Sequence, residues 1–213
     1  MAGMIRILIA DDQPVFREGL KYIFKSYPDI VMTQETGNGQ EAPDILASNE
    51  CDIVILDLAI LGKTGFDLLK EIKREHPKLP VLILSNHPED QFAIRCLKAG
   101  SSGYLTKRSS PAEILEAVRK IHSGGKYISP HLAEEMAEYI ETDSERSLHE
   151  SLSDRELQVM LLLATGKTVT DVAGELSVSV KTISTHRSHI LEKMRMRRNT
   201  ELTQYAIDNG LLR

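Results

Sequence analysis

The sequence predicts two domains in 213 residues. Residues 1–128 read as a doubly wound α/β domain on a five-stranded parallel sheet. Residues 151–213 read as a small all-α domain of four short helices, and an acidic helix and linker over 129–150 joins the two. Three observations carry this. Short apolar runs alternate with amphipathic stretches five times over residues 5–128, the pattern of buried parallel strands with helices on both faces. The alternation ends near His131, and seven acids follow between there and Glu150. Beyond Ser153 every segment has helical spacing and the charge balance reverses: residues 1–150 hold 17 Lys and Arg against 24 Asp and Glu, residues 151–213 hold 9 against 7.

The strands are expected at Ile5–Ala10, Ile30–Glu35, Asp52–Asp57, Val81–Ser85 and Gly103–Thr106, where β-branched and aliphatic residues run together. The helices between them are expected at Pro14–Ser26, Gln40–Ser48, Gly65–Glu75, Gln91–Ala99 and Pro111–Ser123. Leu132–Ile140 reads as a surface helix, and Glu141–Glu150 as a solvated linker too polar to bury a core. Ser153 with Glu156 three residues on is a capping box opening a helix over Asp154–Ala164, which stops at Gly166. Thr170–Leu176, Ser179–Arg195 and Thr200–Asn209 complete a bundle of the helix-turn-helix kind.

Composition excludes several functions. With no Trp and 5% aromatic residues there is no material for an aromatic-lined carbohydrate or single-strand groove. The longest apolar runs, such as Ile53 to Leu56, fall far short of the ~20 residues of a membrane span. Cys51 and Cys96 are too few for a disulfide framework or a four-cysteine zinc site. With no basic-then-apolar leader in the sequence, a cytoplasmic, reduced protein without membrane association is expected.

In an open α/β sheet the functional crevice lies beyond the carboxyl ends of the strands. Asp11 and Asp12 follow the first strand here, Asp57 the third, Ser85 the fourth and Lys107 the fifth. Three converging carboxylates need a cation among them, and Mg²⁺ suits carboxylate and phosphate oxygens. A carboxylate in such a site is able to act as a nucleophile and become an aspartyl phosphate, with a hydroxyl and an ammonium holding the phosphoryl oxygens. Each Asp taken alone also suits a helix cap; five such residues at the strand ends point to chemistry. Gly37-Asn38-Gly39-Gln40-Glu41-Ala42 formally fits a dinucleotide fingerprint but follows the second strand instead of the first, so Asn38-Gly39 reads as a turn.

LIADD, VILD, VLILS and GYLTK, in this order and spacing, resemble the receiver domain of bacterial two-component response regulators, a flavodoxin-like fold. The resemblance implies that Asp57 accepts a phosphoryl group from a sensor histidine kinase. It implies that Asp11, Asp12, Asp57 and the Ala59 carbonyl hold Mg²⁺, that Ser85 and Lys107 bind the phosphate, and that Tyr104 swings inward on activation. A buried strand residue is the other role open to Tyr104. Two departures bear on rates. Ile60-Leu61-Gly62 stands where receivers carry Met-Pro-Gly, which loosens that loop, and Asn86 follows Ser85 where a small residue is usual, which narrows access to the acceptor.

In the helical domain, Ile183, Ile190 and Met194 define the buried side of the Ser179–Arg195 helix, and Lys181, Ser184, Thr185 and Ser188 share another. Small hydroxyls and a lysine suit base edges in a major groove, while Arg187, Lys193, Arg195, Arg197 and Arg198 suit phosphates. A solvated basic face is the alternative. His186 and His189 are spaced as a metal pair but lack a third ligand, and His186 reads as a packed core histidine. LSDRELQVMLLLATGK, SVKTISTHRSHILEKM and TELTQYAIDNGLL resemble the LuxR-type DNA-binding domain of the NarL/FixJ subfamily. That resemblance implies a homodimer formed on phosphorylation and reading an approximately palindromic double-stranded operator, with Leu202, Tyr205 and Ala206 at a dimer contact; packing the four-helix core is their other role. The expected function is a phosphorylation-controlled DNA-binding transcription regulator, not an enzyme. A constitutive DNA binder with a silent receiver and a Mg-dependent phosphohydrolase are the alternatives; the second lacks a carboxylate acid/base beside Asp57, where Ala59 stands.

Overall fold

The computed structural model describes residues 4–141 and 148–212. The chain divides into two compact units, with the division between Ala137 and Glu138.

In the first unit, β1 (Ile5–Ala10), β2 (Ile30–Thr36), β3 (Ile53–Leu56), β4 (Val81–Ser85) and β5 (Gly103–Thr106) form one sheet in the order β2-β1-β3-β4-β5. Every pairing is parallel. The helices α1 (Pro14–Lys25), α2 (Ala42–Ser48), α3 (Gly65–Glu75) and α4 (Glu89–Lys98) are the crossovers, and α5 (Pro111–His122) follows the last strand. β3 and β4 are buried along their whole length, the mark of a sheet covered on both faces. One side of the core packs Leu20 and Phe24 of α1 and Ile114, Val118 and Ile121 of α5 against Ile7, Ile9, Ile55 and Leu84.

The sheet order reverses direction between β1 and β3, so their carboxyl ends splay apart and leave a crevice. Asp57 directly follows β3 there, and its N–H donates to the Ala10 carbonyl at 2.9 Å. The loop after it is held tightly. Leu61, which replaces the usual proline, is 43% exposed, yet its carbonyl accepts from Gly39 N at 2.8 Å and Gln40 Nε2 donates to Gly62 O at 3.1 Å. The Asn38-Gly39 turn thus anchors the loop that the sequence alone marks as loosened. Gly62 needs its left-handed φ of +80° for this path.

The helix α6 (Pro130–Glu141) begins in the first unit, crosses the division and matches the expected surface helix. Residues 142–147 of the expected linker lie outside the described residues. Its last part is ordered, against expectation: Leu148–Ser151 forms a 3₁₀ turn, because the His149 ring packs edge-on against Tyr205 and its Nδ1 lies 3.0 Å from the Tyr205 hydroxyl. Four helices follow, α7 (Asp154–Ala164), α8 (Val169–Glu175), α9 (Val180–Lys193) and α10 (Asn199–Asp208). Ser153 and Thr168 cap α7 and α8 with reciprocal capping boxes, and Ser179 caps α9 through the Thr182 N–H. The α8–α9 turn is closed by Ser177, which takes a left-handed φ of 51° usually reserved for glycine.

Gly65 opens α3 directly behind the acceptor loop. A Cβ there would lie 2.4 Å from Leu58 Cα and 2.5 Å from the Asp57 carbonyl oxygen, both backbone atoms that cannot rotate away. Gly65→Ala is therefore expected to lower stability by about 1–3 kcal/mol through overpacking, read from the denaturant midpoint. An unchanged midpoint would show that the loop yields freely.

Candidate phosphoacceptor and DNA-binding sites

The first site gathers at the β1–β3 crevice. Asp11 and Asp57 are buried and Asp12 is half-buried, with a carboxylate oxygen of each inside a 4.8 Å cluster. Lys107, with 4% of its side chain exposed, donates to Asp11 Oδ2 and to Asp57 Oδ2, each at 2.7 Å. Its ammonium also sits 4.8 Å from the Phe16 ring centroid. The second oxygen of each acid takes a backbone donor: Gln13 N–H to Asp11 Oδ1 at 2.8 Å and Ala59 N–H to Asp57 Oδ1 at 3.2 Å. Ser85 is fully buried at the end of β4, and its carbonyl accepts the Lys107 N–H at 2.8 Å.

One lysine faces three carboxylates. Burial holds the Asp57 carboxyl above its ordinary value, with Lys107 pulling the other way, and burial does the same to Asp11 and Asp12. A site short of positive charge and built of hard oxygen donors fits Mg²⁺. Asp11, Asp12 and Asp57 are the residues that would hold it, and Ala59, whose carbonyl is the expected fourth ligand, lies exposed two residues beyond Asp57.

Tyr104 is fully buried, and its hydroxyl donates to the His87 carbonyl at 2.9 Å. Burial raises its phenol well above the usual range. Its ring faces inward, and it binds the β4–α4 loop that starts at Ser85, Asn86 and His87. The His87 N–H donates to Ser85 Oγ at 3.2 Å, and its ring packs on Phe92 with centroids 4.7 Å apart. Nothing in the sequence singles out His87 or Phe16, because a backbone carbonyl and a ring under an ammonium have no motif.

The second site is α9. Lys181, Ser184, Thr185 and Ser188 are all exposed on it, opposite the buried Ile183 and Ile190. Thr185 and Ser188 return their hydroxyls to the carbonyls one turn back, at Lys181 and Ser184. Two basic residues are held internally. Lys193 pairs at 2.6 Å with the buried Glu156 of the α7 capping box. Arg187 Nε donates to Asn199 Oδ1 at 2.7 Å. His186 is half-buried, its imidazole pushed down by burial, as expected of a packed histidine, and His189 is exposed.

Two of the three expected dimer residues need correction. Leu202 and Ala206 are fully buried in the helical core, because α10 turns that side onto α7. Tyr205 is half-buried against His149. The exposed side of α10 carries Thr200, Gln204 and Ile207, the last 54% exposed.

A phosphoacceptor crevice on one unit and an exposed helix of a helix-turn-helix on the other define a phosphorylation-controlled DNA-binding transcription regulator. Residues 7–119 match the response regulator receiver domain and residues 150–206 the bacterial regulatory proteins of the luxR family. The chain belongs to the two-component response regulators with a LuxR-type DNA-binding domain. It is 32% identical to Response regulator UvrY of Escherichia coli (strain K12) over 98% of this chain and 96% of that protein. It is also 32% identical to the transcriptional regulatory protein LiaR of Bacillus subtilis (strain 168), over 98% of this chain and all of LiaR. Among solved structures it resembles the RcsB response regulator of Salmonella typhimurium, studied for conformational dynamism in DNA interaction, with 25% identity and a TM-score of 0.60 over 98% of this chain and 100% of that one. These relatives are all regulators. Among the described residues no helix is long and apolar enough to cross a membrane.

The crowded carboxylates give a stability test. In metal-free buffer, Asp57→Asn removes like-charge repulsion and is expected to raise the unfolding free energy by about 1–2 kcal/mol, whereas Lys107→Ala leaves the acids uncompensated and lowers it by about 3 kcal/mol. Urea melts check both, and a loss of stability in Asp57→Asn would contradict the charge account.

Proposed function

We propose that Asp57 accepts a phosphoryl group from the phosphohistidine of a sensor kinase, and that this switches DNA binding by α9. The observation that carries the proposal is the Lys107 bridge, at 2.7 Å to each of the two buried acids. Bound Mg²⁺ would neutralise the crowded acids and draw charge from the phosphoryl oxygens. A carboxylate oxygen of Asp57 attacks phosphorus, the P–O bond forms, and the bond to the kinase imidazole nitrogen breaks and leaves its electron pair there. The Ala59 N–H on Oδ1 fixes the rotation of the carboxylate during the attack. Lys107 then exchanges the carboxylate for a phosphoryl oxygen, and the Ser85 hydroxyl, whose oxygen accepts the His87 N–H, donates its proton to another. That exchange pulls on the loop whose His87 carbonyl is bonded to Tyr104, which is the physical route from phosphate to surface.

In the helical unit, Lys181, Ser184, Thr185 and Ser188 face base edges, while Arg187 meets phosphates. Lys193 acts through Glu156, holding α9 against α7. Two copies pair through the exposed side of α10 around Ile207 and read the two halves of an approximately palindromic duplex in the cytoplasm. Intact-mass measurement after incubation with Mg²⁺ and acetyl phosphate tests the acceptor. One phosphoryl adduct is expected on the wild type and none on Asp57→Asn; an equal adduct on both would move the acceptor elsewhere.

A further inference from the structure

The hydrogen bond between Arg187 and Asn199 joins the middle of α9 to the first residue of α10, and it has a chemistry of its own. Arg187 is half-buried, and its Nε–H donates to Asn199 Oδ1 at 2.7 Å. Among the described residues this is its one hydrogen bond, and it has no ion pair. A guanidinium presents five N–H donors in a rigid plane. With Nε taken, the edge formed by the two terminal nitrogens keeps its paired donors, the geometry that suits two oxygens of one phosphate. The partner is a neutral amide. A carboxylate at position 199 would hold the same plane but cancel the charge that a phosphate needs, as Glu156 partly does to Lys193.

Placement agrees. Arg187 follows Ser184 by three residues and precedes Ser188, so it stands on the flank of the exposed stripe, where a helix in a major groove passes the backbone. Phosphate contacts set register and orientation without reading sequence. A free arginine side chain surrenders much rotamer freedom on binding, and a bound plane has already surrendered it.

We propose that Asn199 is a positioning residue for DNA binding. It pre-orients the Arg187 guanidinium so that its two terminal nitrogens take one backbone phosphate, and it ties that contact to the start of α10. This rests on the proposed role of α9 in DNA binding.

The test is the dissociation constant of the full-length protein for a duplex selected in vitro with the wild type, measured across a series of KCl concentrations. Loss of one phosphate contact lowers the slope of log K against log salt by about one. Arg187→Ala is expected to do this. Asn199→Ala is expected to weaken binding about 3- to 10-fold at fixed salt, with a slope moved toward that of Arg187→Ala and with unchanged base preferences. Asn199→Asp is expected to weaken binding at least as much while melting no earlier than the wild type. The double variant Arg187→Ala/Asn199→Ala is expected to bind no worse than Arg187→Ala alone. The proposal is overturned if Asn199→Ala lowers the melting temperature but leaves affinity and slope alone, or if its effect persists undiminished beside Arg187→Ala. If Arg187→Ala itself changes nothing, the phosphate contact and the proposal fall together. The role of α9 fails separately, if Ser184→Ala and Thr185→Ala leave the base preferences intact.

Discussion

The crevice chemistry depends on a single ammonium placed among too many acids. Lys107 sits within 2.7 Å of both Asp11 and Asp57, buried, with Asp12 a third acid in the same cluster. Left alone, such a cluster favours expulsion of charge: protonation, or recruitment of a cation. The fold prevents relaxation, because each acid ends or follows a strand whose backbone is bonded into the sheet. Asp57 N–H is tied to Ala10 and Asp11 N–H to Thr36. The site is thereby held in a state that a divalent cation would relieve.

The same economy runs through the neighbouring loops. The β3–α3 loop is held by the Asn38-Gly39 turn and by the absence of a side chain at Gly65. The β4–α4 loop is held by Ser85 at one end and by the phenol of Tyr104 beneath it. His87 is thus held from both its backbone groups, its N–H by the Ser85 hydroxyl and its carbonyl by the Tyr104 phenol.

Much of this was legible in the sequence, for identifiable reasons. All five strands, the five helices of the first unit and the four C-terminal helices follow from apolar period and capping boxes, with no end displaced by more than two residues. The Asp, Ser and Lys of the crevice were legible because strand ends place them. What escaped depends on partners distant in the chain. The ion pair of Lys193 was hidden because its buried partner, Glu156, lies 37 residues away. Leu202 and Ala206 suited a dimer face as well as a core, and only packing against α7 separates the two. The turn at Leu148–Ser151 was hidden because its order comes from Tyr205, and not from its own polar sequence. The missing proline at Leu61 suggested looseness, while the compensating turn at Asn38 sits on another strand's loop.

The central claim is that charge at Asp57 controls the helical unit. Its most direct measurement is operator affinity at one fixed salt concentration, for the wild type and Asp57→Asn, each with and without Mg²⁺ and acetyl phosphate. A shift in affinity on phosphorylation of the wild type, of about 5- to 150-fold as allosteric coupling commonly gives, absent from Asp57→Asn, is the predicted result. Equal affinity in all four samples, with the phosphoryl group demonstrably on Asp57, would contradict it.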